Sequence, residues 1–303
     1  MRLIERVSDR LQREDDDTSP PIWRMPELVV STEPGAASES ELDIEDCSEP
    51  ESSFCTISAQ TLSAKGLIVP GGPRTRSVHE YRVIKRSLLL SALSDGTAAS
   101  DPARRIMITS ALPGEGKTFT AANLALSLAE ERDYSVLLVD GDVARPSLPG
   151  LLGIEPRAGL MDALIDPGLD LTNLIRRTSF DKLSFLGAGT PNPQATELIA
   201  SDAMAGLVDR LTARNRRQIV VFDSPPLLVT TEASSLAPHM GQIIVVVETG
   251  KTPRAAVQDA LRSLRGYPAS PCVLLNKAPQ RRGTYGYGAY GYGAYGYGES
   301  DVR

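Results

Sequence analysis

Lys117 and Thr118 close the run Ser110-Ala111-Leu112-Pro113-Gly114-Glu115-Gly116-Lys117-Thr118. An apolar segment at 106–109 precedes the run, and an amphipathic segment at 117–131 follows it. A glycine-rich turn between a strand and a helix lets backbone N–H groups converge on a phosphate, and the helix N-terminus adds a favourable dipole. In such a loop the lysine reaches the β- and γ-phosphate oxygens, and the threonine hydroxyl ligates Mg²⁺. Gly114, Glu115, Gly116, Lys117, Thr118 and Phe119 are therefore candidate nucleotide contacts. Ala111 stands where this pattern usually starts with glycine. A chance helix cap is the bland alternative, and the strand–GKT–helix order argues against it.

Three carboxylates sit where they are able to serve that loop. Asp140-Gly141-Asp142 follows the apolar run 136–139, and Asp223-Ser224-Pro225-Pro226 follows 219–222. An acid directly after four apolar residues matches a Walker B position, which holds Mg²⁺ directly or through water. The bland reading, a turn cap at Asp140 or Asp142, weakens when three such acids share one chain. Arg145-Pro146 and the segment 188–193 also follow strands and are candidates for the same crevice. Asn276-Lys277 follows the last strand, where Asn276 is a candidate for a base edge, although asparagine is also a common turn residue.

These residues need a scaffold that brings strand ends together. Apolar runs at 106–109, 136–139, 183–186, 219–222, 243–247 and 272–275 alternate with amphipathic segments at 117–131, 196–214 and 253–265. A further helical stripe at 79–93 carries Tyr81, Ile84, Leu88 and Leu89. This alternation predicts an α/β fold, a doubly wound, mostly parallel sheet with helices on both faces. Ligands then bind at the carboxyl ends of the strands.

The 303 residues carry a net charge of −6, unevenly spread. Residues 1–60 hold five arginines against fifteen acids, or −10, leaving +4 for the remainder. No dense basic patch with interleaved aromatics is present, which excludes nucleic acid as the default partner. Cys47, Cys55 and Cys272 form no metal-ligand spacing, and so sparse and odd a count suits a reducing cytoplasm. No apolar run approaches the ~20 residues that span a bilayer. Residues 1–13 place Leu3, Ile4, Val7 and Leu11 at helical spacing, read equally as self-packing or as a docking helix for a partner. Residues 14–76 read as an acidic disordered linker, 77–280 as the nucleotide-binding domain, and 281–303 as a tail. In that tail, Tyr285, Tyr287, Tyr290, Tyr292, Tyr295 and Tyr297 form three five-residue Tyr/Gly repeats. A glycine after each of these tyrosines prevents a core and leaves the phenols on a loose tether.

Together ALPGEGKT, VLLVDGD, IVVFDSPP and a terminal tyrosine cluster resemble the bacterial tyrosine autokinases (BY-kinases). VDGDVARPSLP, ATELIASDAM and the Tyr-Gly tail look closest to the branch found beside exosortase and exopolysaccharide genes. The resemblance covers about residues 77–303 and implies a P-loop NTPase fold with ATP and Mg²⁺. It implies phosphoryl transfer to the tail tyrosines, in the regulation of exopolysaccharide biosynthesis or export. Lys117, Asp140 and Asp142 would be catalytic, with Asp140 the acceptor of the phenolic proton or its positioning partner. Thr118, Asp142 and Asp223 would serve Mg²⁺. The resemblance also implies a homo-oligomer, a membrane-anchored co-polymerase adaptor and an opposing tyrosine phosphatase, with the chain cytoplasmic and peripheral to the inner membrane.

The chain departs from that family at Ala144, where many relatives carry the first of two arginines. It departs again at His79, Arg82 and Lys85, which stand in place of a Glu-x-x-Arg-x-x-Arg helix that assembles rings. Two other classes compete: a surface-riding P-loop switch, or a non-catalytic scaffold of the polysaccharide machinery. The switch family carries an extra lysine where this chain has Leu112. An intact Lys117 and Thr118 with three aspartates opposes the scaffold.

Overall fold

The computed structural model describes residues 2–6, 54–94 and 101–279. Its centre is a nine-stranded sheet. The strands are β1 (Arg2–Arg6), β2 (Phe54–Cys55), β3 (Arg105–Ser110), β4 (Ser135–Asp140), β5 (Arg176–Thr178), β6 (Leu183–Leu186), β7 (Gln218–Asp223), β8 (Gln242–Glu248) and β9 (Pro271–Asn276). They lie in the order β1-β9-β8-β3-β7-β4-β6-β5-β2. Pairing is parallel except for β1 with β9 and β5 with β6. Six apolar runs predicted from sequence are the six central strands, and the predicted α/β class is the observed one.

Residue alternation along the strands explains the two-faced cover. Met107, Leu137, Val139, Val220, Phe222, Ile243 and Val245 belong to one core cluster. Ile106, Ile108, Val136, Leu138, Ile219, Val221, Ile244 and Val246 belong to the other. Successive side chains of a strand point to opposite faces, so each strand feeds both cores. The helices are α1 (Ala59–Ala64), α2 (Arg76–Ser94), α3 (Lys117–Leu128), α4 (Leu148–Leu152), α5 (Leu160–Ile165), α6 (Leu171–Leu174), α7 (Ala195–Ile199), α8 (Asp202–Ala213), α9 (Glu232–Leu236) and α10 (Arg254–Ser263). On the second face lie α2 and α3, where Tyr81, Leu88, Leu124 and Leu128 are buried. On the first face lie α8 and α10, with Leu207, Leu211 and Ala260 turned inward. Burial of the apolar strand and helix faces, at about 25 cal/mol per Å² removed from water, holds this sandwich together.

Three boundaries differ from the sequence expectation. First, described residues of the expected 14–76 linker pack against the domain: Cys55, Ile57, Leu62, Leu67 and Ile68 are buried in the second core. Asn123 Oδ1 accepts the Ile68 N–H at 2.7 Å, and β2 extends the sheet beside β5. The acidic composition of the leader masked this short apolar patch. Second, Arg2–Arg6 form a strand rather than helix, paired antiparallel to β9; the open edge of β9 offers inter-strand hydrogen bonds, whereas a short isolated helix is marginal. The rest of 1–13 lies outside the described residues, as do 14–53 and the tail tyrosines. Third, the helix expected over 196–214 divides into α7 (Ala195–Ile199) and α8, because Ser201 adopts an extended conformation, φ −85° and ψ 163°.

Among the described residues no helix is long and apolar enough to cross a membrane.

Candidate functional site

The carboxyl ends of β3, β4, β7, β8 and β9 carry the residues singled out by sequence. The loop 111–116 leads from β3 into α3. Gly116 caps α3 with φ 98°, a left-handed conformation that favours glycine. A Cβ there would lie 2.2 Å from Asn276 Nδ2, so the position is also closed to any side chain by space. The first turn of α3 has no side-chain cap, which leaves its N–H groups for a ligand.

β4 and β7 are hydrogen-bonded neighbours in a register that sets Asp140 opposite Asp223. Gly141 lets the chain turn tightly there: its N–H donates to Asp223 O at 2.7 Å, and a Cβ would meet that oxygen at 2.8 Å. Both carboxylates are completely buried. Asp140 Oδ2 accepts the Leu148 N–H at 3.3 Å. Asp140 Oδ1 and both oxygens of Asp223 have no hydrogen-bond partner among the described residues.

Burial, and then the Asp223 charge beside it, pushes the Asp140 carboxyl up to about 8. Burial likewise pushes Asp223 up to about 6, against the pull of Lys117 and of the nearby Thr118 hydroxyl. That hydroxyl lies close enough to favour the ionised form without making a hydrogen bond to it. Buried acids with unsatisfied oxygens are costly unless a cation or proton joins them.

Asp142 meets Lys117, with Asp142 Oδ2 2.6 Å from Lys117 Nζ. Its Oδ1 accepts the Arg145 N–H at 3.2 Å. Thr118 Oγ1 lies 3.0 Å from Ser147 Oγ and 3.4 Å from Lys117 Nζ. Phe119 is partly buried against the second core. Arg145 is exposed, with its side chain free of protein partners among the described residues. Lys117, Thr118, Asp140, Asp142 and Asp223 thus converge as the sequence predicted.

Asn276 has a task that the sequence did not suggest: its Nδ2 donates to Glu115 O at 2.9 Å. The 188–193 segment is held elsewhere, since Asp162 Oδ2 accepts the Gly159 N–H at 2.7 Å and the Thr190 N–H at 3.1 Å. It makes no hydrogen bond to the phosphate loop. Glu115 turns inward, with Oε2 accepting the Leu112 N–H at 2.6 Å and Oε1 accepting the Thr252 hydroxyl. Ser147 and Thr252 escaped the sequence reading, because they meet the loop from 29 and 137 residues away, and Glu248 escaped it because it reaches the loop only through Lys277 and Thr252. Lys277, which the sequence placed beside Asn276 directly after the last strand, donates from Nζ to Gly114 O at 2.8 Å.

The donor set fits a nucleotide–Mg²⁺ complex. Asp223, with two orphaned oxygens, and the Thr118 hydroxyl would hold the ion, and Lys117 would serve the phosphates. No group of three or more His, Cys, Asp or Glu side chains among the described residues forms a metal cage by itself. Mg²⁺ does not need one, because it usually takes one or two carboxylates and completes its shell with phosphate oxygens and water.

A glycine-rich loop between the central strand and its helix, with acids on the neighbouring strand ends, defines a P-loop NTPase. A ParA family model, described as NUBPL iron-transfer P-loop NTPase, matches residues 102–185. The chain is 36% identical over 201 residues to the succinoglycan biosynthesis transport protein ExoP of Rhizobium meliloti (strain 1021). That match covers 65% of this chain and 24% of ExoP, so the chain spans about a quarter of that relative. It is 27% identical over 226 residues to the tyrosine-protein kinase YwqD of Bacillus subtilis (strain 168), covering 74% of this chain and 91% of YwqD. Among solved structures, the BceF tyrosine kinase domain superposes with a TM-score of 0.57 at 27% identity, covering 76% of this chain and 94% of that one. Over about three quarters of its length the chain is therefore similar, in sequence and in fold, to bacterial tyrosine kinases.

Proposed function

We propose that this chain is an ATP-dependent protein-tyrosine kinase that modifies its own Tyr285, Tyr287, Tyr290, Tyr292, Tyr295 and Tyr297. The observation that carries the reading is the Asp140–Asp223 pair, buried with orphaned oxygens beside Lys117 and Thr118. Such a pair has a purpose if a cation and a polyphosphate complete it.

In the reaction the tyrosine oxygen bonds to the γ-phosphorus of ATP, the bond from that phosphorus to the bridging oxygen breaks, and ADP leaves. Mg²⁺, when bound, neutralises charge on the phosphates. The loop amides and Lys117 orient the phosphates, and Lys117 exchanges Asp142 for a phosphate oxygen. The phenolic proton passes to the Asp140–Asp142 pair. Asp142, the member that Lys117 releases, is the carboxylate free to take it. Complete burial of Asp140 gives it the positioning share of that work.

The name of ExoP supports placement in exopolysaccharide biosynthesis or export. In that setting the chain acts at the cytoplasmic face of the membrane through an adaptor, as a homo-oligomer opposed by a phosphatase. The test is incubation of the full chain with Mg-ATP, with and without the adaptor's cytoplasmic segment, beside a Lys117→Met control. Mass spectrometry of the C-terminal peptide should find phosphates on residues 285–297 that vanish in the control. An unmodified tail in the presence of measurable ATP binding would overturn the kinase reading in favour of a nucleotide switch.

A further inference from the structure

Two carbonyls of the phosphate loop are held by consecutive side chains at the end of β9. Asn276 Nδ2 donates to Glu115 O at 2.9 Å, and Lys277 Nζ donates to Gly114 O at 2.8 Å. A trans peptide plane directs its C=O and its N–H to opposite sides, and the described chain has no cis bond. Anchoring Gly114 O therefore turns the Glu115 N–H the other way, and anchoring Glu115 O does the same for the Gly116 N–H. Neither N–H donates to a protein acceptor among the described residues.

Further contacts fix the anchors. Glu248 Oε2 lies 3.0 Å from Lys277 Nζ. Thr252 Oγ1 accepts the Glu248 N–H at 3.1 Å and donates to the buried Glu115 carboxylate. Lys277 is also the one non-glycine residue with positive φ among those described, at 53°. A left-handed lysine costs conformational energy, and here it sets the ammonium over the loop while the side chain stays half exposed.

We infer that Asn276 and Lys277 are positioning residues for the polyphosphate: by drawing two loop carbonyls to the β9 side, they aim the Glu115 and Gly116 amides at the ligand, and they do not read the base. This rests on the nucleotide-binding reading above. Thr252 and Glu248 support the same arrangement from the end of β8.

The test measures binding of Mg-ATP, Mg-GTP and inorganic tripolyphosphate to the full chain by calorimetry, for the wild type, Lys277→Gly and Asn276→Ala. Glycine accepts the left-handed backbone at position 277, so that variant removes the ammonium without adding strain. It remains informative even if Asn276→Ala does not fold. Lys277→Gly should lose about tenfold in affinity, the scale of one charge-assisted hydrogen bond, and a folded Asn276→Ala about threefold or more, the scale of a neutral one, each by the same factor for all three ligands. Lys277→Arg should restore part of the loss. Retained tripolyphosphate affinity with weakened ATP, or a changed ATP:GTP ratio, would overturn the inference and make the pair a base reader. A wild type that binds none of the three would overturn the nucleotide reading and this inference with it. One that binds all three yet leaves its tyrosines unmodified would sink the kinase reading alone.

Discussion

Asp142 Oδ2 lies 2.6 Å from Lys117 Nζ, with both side chains largely buried, so the phosphate-loop lysine is already engaged by protein. Nucleotide binding has to exchange that carboxylate for a phosphate oxygen. Asp142 therefore competes with the ligand for Lys117 and is released by it. This makes one ion pair both a brake on binding and a source of a free carboxylate in the occupied site.

The competition is measurable in Asp142→Asn. Without Mg²⁺, this variant should bind ADP about 5- to 10-fold more tightly than the wild type, because Lys117 has no carboxylate to leave. Tail phosphorylation should fall by about 100-fold or more, since the acid is lost from the site of transfer. Fluorescent-nucleotide titration in EDTA reads the first effect, and equal affinities there would refute the exchange.

The Asp140–Asp223 pair sets a pH dependence. Both folded-state values lie above the ordinary aspartate value of 3.8, at about 8 and about 6. The folded apo protein thus holds protons that the unfolded chain has lost, and this contribution to stability is present at low pH and lost as pH rises from about 4 to about 8. Asp140→Asn removes the larger share. In EDTA it should be more stable than the wild type by about 1–3 kcal/mol at pH 8, with the difference vanishing near pH 4. Urea unfolding at the two pH values tests this. A variant no more stable than the wild type at pH 8 would mean that the pair ionises freely.

Strand identity, sheet class and the converging Lys117, Thr118 and three aspartates were legible in the sequence, because each depends on a local pattern: an apolar run, a glycine-rich turn, an acid at the run's end. Contacts made between distant segments were not. Nothing near Thr252 reveals that its hydroxyl meets Glu115, and Asn276 looks like any turn residue until β9 is placed beside the loop. The short elements between residues 54 and 76 were hidden for a different reason. A two-residue strand and a six-residue helix carry too few apolar positions to show a period, and they gain their stability from packing under α3.

The same acids predict proton release on Mg-nucleotide binding. A divalent cation beside Asp223 favours its ionised form, as it does for Asp140 across the strand pair. At pH 6 to 7 the binding enthalpy should vary with the ionisation enthalpy of the buffer, corresponding to about one proton released. In Asp223→Asn that dependence should shrink, and Mg²⁺ should improve nucleotide affinity about tenfold less than in the wild type. Buffer-independent enthalpies in the wild type would show that the pair is already ionised before binding.

Lys85 gives a prediction about stability rather than chemistry. It stands at the position of the family's assembly helix, yet its side chain turns into the domain. The ammonium donates to Ser127 O at 2.6 Å and pairs with Glu131 Oε1 at 2.8 Å. It thereby satisfies a carbonyl in the last turn of α3, where the helix dipole favours a cation. Lys85→Ala leaves that carbonyl unpaired beneath α2 and should cost about 2–4 kcal/mol in unfolding free energy. Glu131→Gln, whose partner keeps its bond to Ser127, should cost no more than about 1 kcal/mol. Chemical denaturation of both variants separates the two terms, and equal losses would place the stabilisation in the ion pair instead of the helix terminus.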